Sequence, residues 1–134
     1  MPHLVILYTP NLDAETDMTA LCRQLADTML EVKDESGKQV FPTGGVRVLA
    51  YPAAHSAVAD GQRDYAFAYL NLRMGRGRSE AVKKQAGEAL VASARAHFEP
   101  VFAKRLLGLT LQIDEGPEVF DAKHSTIHPL FAKG

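Results

Sequence analysis

The stretch Tyr65-Ala66-Phe67-Ala68-Tyr69-Leu70-Asn71-Leu72-Arg73 decides the fold. Read with the period of two of an extended chain, it puts Tyr65, Phe67, Tyr69 and Asn71 on one face and Ala66, Ala68, Leu70 and Leu72 on the other. Both faces are largely apolar. A strand of this kind belongs in a sheet covered on both sides. Tyr65, Phe67 and Tyr69 therefore read as strand core before they read as a stacking platform for bases.

Downstream, Gly75-Arg76-Gly77-Arg78-Ser79 leads into a long helix. Its inner face is Val82, Ala86, Ala89, Leu90, Ser93, Ala94, His97 and Phe98, with an interruption expected near Pro100. Leu106 to Ile113 is the closing strand. Upstream, the small and polar segment from Ala53 to Arg63 contains the turn signal Asp60-Gly61. Before that segment the same order of elements occurs once already. His3 to Tyr8 is a short branched apolar run closed by Pro10-Asn11, which suits a buried strand. Thr16 or Asp17 caps a helix with Met18, Leu21, Cys22, Leu25, Met29 and Val32 at helical spacing, expected to end near Ser36-Gly37. After the turn Phe41-Pro42-Thr43-Gly44-Gly45, the segment from Val46 to Tyr51 reads as a strand that stops at Pro52.

The chain thus reads as one α+β domain over residues 1–134, made of two tandem β-α-β units at 2–52 and 64–113 and a tail at 114–134. Two right-handed crossovers joined into one four-stranded sheet place both helices on a single face. The other face is left bare, and 134 residues provide no further layer to cover it. Partner subunits are the natural cover. The tail has no clear periodicity, but Val119, Phe120, Ile127, Leu130 and Phe131 equip it to dock on its own or a neighbouring subunit.

Fifteen Lys and Arg against 16 Asp and Glu leave a net charge of −1, so no global field draws a nucleic-acid backbone or an anionic membrane. Anion recognition has to be local. The single cysteine, Cys22, excludes an intrachain disulfide and reads as a small buried apolar residue. Leu4 to Leu7 is too short to span a bilayer and follows no basic leader, which points to the cytoplasm.

Three places carry candidate chemistry. Pro2 follows the initiator methionine, so removal of Met1 would expose a secondary amine. Burial beside cations disfavours the ammonium form of such an amine and suits it to abstract a proton next to a carbonyl. The strand that begins at once would hold it at a sheet end. Arg47 follows Gly44-Gly45 at the start of a strand, and Arg76 and Arg78 lie at a strand-to-helix junction. The guanidinium fork matches planar carboxylates, and a helix start adds free N–H groups. Gly75, Gly77 and Gly87 form no phosphate-binding fingerprint. His124 and His128 stand four apart, but no acidic or cysteine ligand completes a zinc set nearby, and Pro129 opposes a continuous helix. No metal site is expected. His97, on the apolar side of its helix, reads as a satisfied core histidine.

Across nearly the whole chain the residues resemble the 5-carboxymethyl-2-hydroxymuconate isomerases of the tautomerase superfamily. The likeness rests on Met1-Pro2-His3, Phe41-Pro42 with Gly45-Val46-Arg47, the run Ala59-Asp60-Gly61-Gln62-Arg63-Asp64-Tyr65-Ala66-Phe67, and Gly75 through Gly77-Arg78-Ser79. Gln85-Ala86-Gly87-Glu88, His97-Phe98, Arg105-Leu106-Leu107 and His128 with Leu130-Phe131 add to it. The run beginning at Ala59 is the most specific. The resemblance implies a tautomerase-like fold of two β-α-β units, a homotrimer, Pro2 as general base, and Arg47 and Arg78 as carboxylate holders. It implies no cofactor, and a small unsaturated carboxylate as substrate. Arg76 departs from the small residue typical of its loop, and Asp34 to Lys38 look inserted. Two alternatives stand beside it. One is a hydratase or dehalogenase, needing a carboxylate such as Glu15, Glu118 or Asp121 to activate water. The other is a non-catalytic trimeric binding protein on the same scaffold.

Overall fold

The computed structural model describes residues 2–131. Met1, whose removal the Pro2 reading requires, and residues 132–134, the end of the tail, lie outside the described residues. The first unit comprises β1 (His3–Tyr8), α1 (Met18–Leu30) and β2 (Arg47–Pro52). The second comprises β3 (Tyr65–Met74), α2 (Glu80–Phe102) and β4 (Leu106–Glu115). Short 3-10 turns occupy Pro10–Leu12, Thr43–Gly45 and His128–Leu130. The four strands form one sheet in the order β2-β1-β3-β4. β1 runs parallel to β2 and antiparallel to β3, and β3 runs parallel to β4. The architecture is the four-stranded sheet with two helices expected from the two-fold recurrence.

Strand periodicity determines which side chains meet the helices. Leu4, Ile6 and Tyr8 of β1 and Ala66, Ala68, Leu70, Leu72 and Met74 of β3 are buried against Leu21, Leu25 and Met29 of α1 and Ala86, Leu90, Ala94 and Phe98 of α2. The alternate residues face away. Leu7, Leu49, Tyr51 and Leu106 are 41–49% exposed on that uncovered face. Tyr65, Phe67 and Tyr69 lie there half-buried, so the expectation that they belong to the core is corrected: they line the bare side of the sheet. Small residues at 66 and 68 leave room beneath β3 for the helices.

Both helices are capped, the first by one of the two residues its sequence offers. Asp17 accepts from the Ala20 N–H at 3.0 Å, and Ser79 from the Val82 N–H at 3.2 Å. α1, however, ends at Leu30 and not near Ser36-Gly37. The Asp34 carboxylate accepts from the N–H groups of Ser36 (2.9 Å) and Lys38 (3.0 Å), and Val40 N–H returns to the Val32 carbonyl at 3.0 Å. A side chain that supplies its own backbone with partners draws the chain out of a helix. Val32 stays buried through that turn. α2 runs unbroken through Pro100 to Phe102. Pro100 is exposed in the last turn, where its missing N–H forfeits a single bond, while Phe98 and Val101 remain buried and hold the turn down. β2 begins one residue later than expected and includes Pro52, which as an edge-strand residue needs no donor.

His97 is half-buried, with Nε2 2.8 Å from Thr16 Oγ1 and its ring edge-on to Phe98, as a satisfied core histidine should be. Burial holds its pKa below the ordinary value, an effect that Asp17 partly opposes. Cys22 is half-buried and not fully buried as expected, and burial raises its thiol pKa. No described helix is long and apolar enough to cross a membrane.

Ile6 is fully buried in a strand paired on both flanks, whereas its neighbour Leu7 is 48% exposed. Ile6→Ala should cost about 2–5 kcal/mol of folding free energy, read from the urea midpoint at constant slope. A loss below about 0.5 kcal/mol would contradict this assignment of faces.

Candidate active site

The register assembles the site. His3 pairs with Arg47 in β2 and with Arg73 in β3, so the starts of β1 and β2 and the end of β3 share one end of the sheet. Pro2 is buried immediately before His3. Arg47 opens the adjacent strand, and Gly75 to Ser79 leave β3 at the same end before α2 begins.

Gly44 and Gly45 are the joint around which this end is built. Arg47 Nη1 donates to the Gly45 carbonyl at 3.0 Å and to the Gly44 carbonyl at 3.4 Å. A Cβ placed on Gly44 would stand 2.8 Å from the Cα of His128, and one on Gly45 would meet His128 Nε2 at 3.5 Å and Pro2 Cδ at 3.6 Å. Both glycines are buried, and their missing side chains permit this approach. The head of β1, the turn before β2 and the 3-10 turn of the tail therefore converge on two residues. The tail reaches this point through Ser125, whose Oγ accepts from Ile127 N–H at 3.0 Å and His128 N–H at 3.3 Å.

Arg78 is held differently. Its Nη1 donates to the Gly75 carbonyl at 3.1 Å, and its guanidinium carbon lies 5.1 Å from the centroid of the buried Phe41 ring. Arg76 is exposed. Arg76 and Arg78 line an open cleft of about 480 Å³, and Arg47 lines a second of about 420 Å³ with Cys22, Ile127 and Phe131. Pro2 is a lining residue of neither. The four predicted residues thus share one end of the sheet, with Arg47 joined to Pro2 through the glycine pair and Arg76 and Arg78 in a separate cleft. A larger cleft of about 730 Å³ beside Tyr8 and residues 13–19 holds none of them.

The charges at this end are left available. Among the described residues Arg47, Arg76 and Arg78 form no ion pair with a carboxylate, whereas Arg23, Lys83, Lys104, Arg105 and Lys123 all do. Arg47 and Arg78 are oriented by neutral carbonyls, which position a guanidinium without neutralising it. The field is felt by His3, whose pKa is lowered first by burial and then by surrounding cations that include Arg47 and Arg73.

Of the carboxylates weighed for water activation, Glu15 lies beside Lys104 and Arg105, at the far end of β1, away from Pro2. Glu118 is exposed, but its Oε1 lies beside Gly116 and the Arg73 guanidinium, at the sheet end where Arg73 pairs with His3, whereas the exposed Asp121 is paired with Lys123 at 2.5 Å. No group of three potential metal ligands exists among the described residues. His128, which the sequence places four residues from His124, lies over Gly44 and Gly45, where Pro2 Cδ also approaches. Two consecutive glycines just before Arg47 were the available signal that something large packs on that turn.

Residues 2–131 match the model of a family described as CHMI: 5-carboxymethyl-2-hydroxymuconate isomerase. A 5-carboxymethyl-2-hydroxymuconate Delta-isomerase of Escherichia coli is 31% identical over 98% of this chain and 99% of its own length. A crystal structure of a 5-carboxymethyl-2-hydroxymuconate delta-isomerase superposes with a TM-score of 0.96 at 60% identity, over 100% of this chain and 95% of the other. A 5-carboxymethyl-2-hydroxymuconate isomerase from Deinococcus radiodurans R1 gives 0.87 at 38% identity, over 98% and 95%.

Gly44→Ala tests the joint. Because the Cα of His128 is backbone and cannot swing aside, the tail has to move, at a cost of about 1–3 kcal/mol in melting experiments. Limited proteolysis should then cut the tail faster than in the unaltered protein, and an unchanged cleavage rate would show that the tail does not rest on Gly44.

Proposed function

Since the chain belongs to the 5-carboxymethyl-2-hydroxymuconate isomerase family, we propose that it converts 5-carboxymethyl-2-hydroxymuconate to its unsaturated 2-oxo isomer with the Pro2 amine as general base. It is an isomerase. Freed by removal of Met1, the secondary amine takes the proton of the 2-hydroxyl group and returns a proton to carbon. The dienol becomes the 2-oxo compound with no net change in atoms or electrons and no cofactor. One group accepts and donates in turn, which suits an amine whose protonated form is opposed by burial and by neighbouring cations.

The observation that carries this reading is the burial of Pro2 beside the glycine pair whose carbonyls hold an uncompensated Arg47. Arg47 is the group proposed to take a substrate carboxylate next to the base and to favour negative charge on the dienolate oxygen. Arg78, stiffened against Phe41, and the exposed Arg76 are proposed to take the distant carboxylate. The working form is a homotrimer in the cytoplasm, acting in the breakdown of aromatic acids. Its assembly is supported by the uncovered sheet face, where Leu7, Leu49, Tyr51 and Leu106 stand exposed around half-buried aromatic residues.

Kinetics on mass-verified preparations test the base. Protein that retains Met1 has an amide at Pro2 and should be nearly inactive with unchanged melting, and Pro2→Ala should lose most of its kcat. Arg47→Ala and Arg78→Ala should each cost about 2–4 kcal/mol of transition-state stabilisation while folding normally. Equal turnover with and without Met1 would remove Pro2 from the mechanism. Sedimentation tests the assembly. A trimer is expected at micromolar concentration, and Leu49→Asp should shift it toward smaller species, whereas a stable wild-type monomer would refute the trimeric form.

A further inference from the structure

His128 has no part in the chemistry derived so far, yet the fold delivers it to the base. Its imidazole lies along the glycine pair. Nδ1 is 3.1 Å from the point a Gly44 Cβ would occupy, while Nε2 and Pro2 Cδ approach the equivalent point on Gly45 at 3.5 and 3.6 Å. The side chain is half-buried, and among the described residues neither ring nitrogen has a hydrogen-bond partner. Its backbone, by contrast, is tied at both groups: His128 N–H donates to Ser125 Oγ at 3.3 Å, and the His128 carbonyl accepts from Phe131 N–H at 3.0 Å. Neither ring nitrogen is among the buried polar atoms without a partner, so both are open to solvent or to a ligand and neither is committed to a described protein group. A hydrogen-bonding ring anchored by its backbone, with free nitrogens beside the base, is arranged to meet a ligand.

We propose that His128 is a substrate-contacting residue of the Pro2 site, donating an imidazole N–H to an anionic oxygen of the unsaturated carboxylate that reacts there. The proposal rests on the Pro2 reading and adds to it a third element of the site. The arginines supply charge, whereas His128 supplies a directed donor on the side of Pro2 reached by the tail. The contact forms no covalent bond, and the proton stays on the imidazole throughout. Because the imidazole and Pro2 Cδ approach the same point on Gly45, the bond should favour the dienolate over the neutral dienol, so its loss should fall on kcat more than on KM.

The test uses full-length protein with Met1 removed, verified by mass. His128→Phe keeps a planar ring over the glycines and removes the donor, whereas His128→Gln keeps an N–H at similar reach. His128→Phe should lower kcat on the dicarboxylate dienol by about ten- to a hundred-fold, the range for a hydrogen bond to a charged group, with KM and melting temperature little changed. His128→Gln should recover most of that loss. Alkylation of the Pro2 amine supplies a readout independent of turnover. A carboxylate-bearing acetylenic ketone should modify His128→Phe more slowly than wild type, and a neutral electrophile should modify both at the same rate. If wild type turns over the dienol and His128→Phe matches it, the inference is wrong. It is equally wrong if Phe and Gln variants lose activity alike together with thermal stability, since the histidine is then only a clamp for the tail. Wild type that neither isomerises the dienol nor reacts at Pro2 would instead overturn the parent reading, and with it this one.

Discussion

The site depends on the pairing of β1 along both of its flanks, parallel to β2 on one side and antiparallel to β3 on the other. A chain terminus ordinarily frays, because few contacts oppose its entropy. Here the second residue precedes a strand held by two ladders, with Leu4 and Ile6 fully buried beneath it. That constraint turns a mobile end into a placed one. It also brings Arg47 beside the start of β1, since a parallel neighbour that pairs His3 with Arg47 has to begin at the same sheet end.

The glycine pair and the unpaired arginines are two sides of one solution. Cations gathered at one end of a sheet repel each other, and carboxylates would relieve that repulsion while cancelling the attraction for the anionic substrate proposed for this site. The chain instead uses carbonyls of Gly44, Gly45 and Gly75 and the face of Phe41 to orient Arg47 and Arg78. Carbonyl dipoles and an aromatic quadrupole stabilise a guanidinium at short range and leave its net charge intact. Carboxylates hold cations elsewhere on the molecule, as in the Arg105 network with Glu15 and Asp64, whereas among the described residues carbonyls and an aromatic face do this for Arg47 and Arg78.

The uncovered sheet face belongs to the same economy. In a chain of 134 residues two helices suffice for one face only, and each strand is therefore apolar on its helix side and mixed on the other. On β3 the mixed side is Tyr65, Phe67, Tyr69 and Asn71, where Tyr69 Oη donates to Gln112 at 2.9 Å and the Asn71 amide to Asp114 at 2.8 Å. Polar tips on apolar bodies suit a surface that can be packed against without becoming insoluble beforehand.

Period alone made the elements legible. β1 matches its sequence reading residue for residue, and the alternation in β3 assigns its two faces correctly, because a period of two leaves no choice of side once one face is buried. The ends of α1 and the passage of α2 through Pro100 were less legible. Both depend on whether a local signal, Asp34 in one case and Pro100 in the other, outweighs the packing around it, and packing is a property of the folded chain. Pro2, Arg47, Arg76 and Arg78 could be proposed as candidates from residue chemistry and a resemblance, but only the strand register brings their segments to one end of the sheet. His128 is among the residues that carry the likeness, but its placement near Pro2 was beyond reach, being far from Pro2 along the chain and brought toward it only where the tail folds back over two glycines. By itself, then, the sequence determined the order of elements, the faces of the strands and the kinds of chemistry available, all of which depend on neighbours in the chain. Tertiary structure alone decided which of those groups stand together and which charges stay unpaired, because those outcomes depend on contacts between segments that no periodicity records.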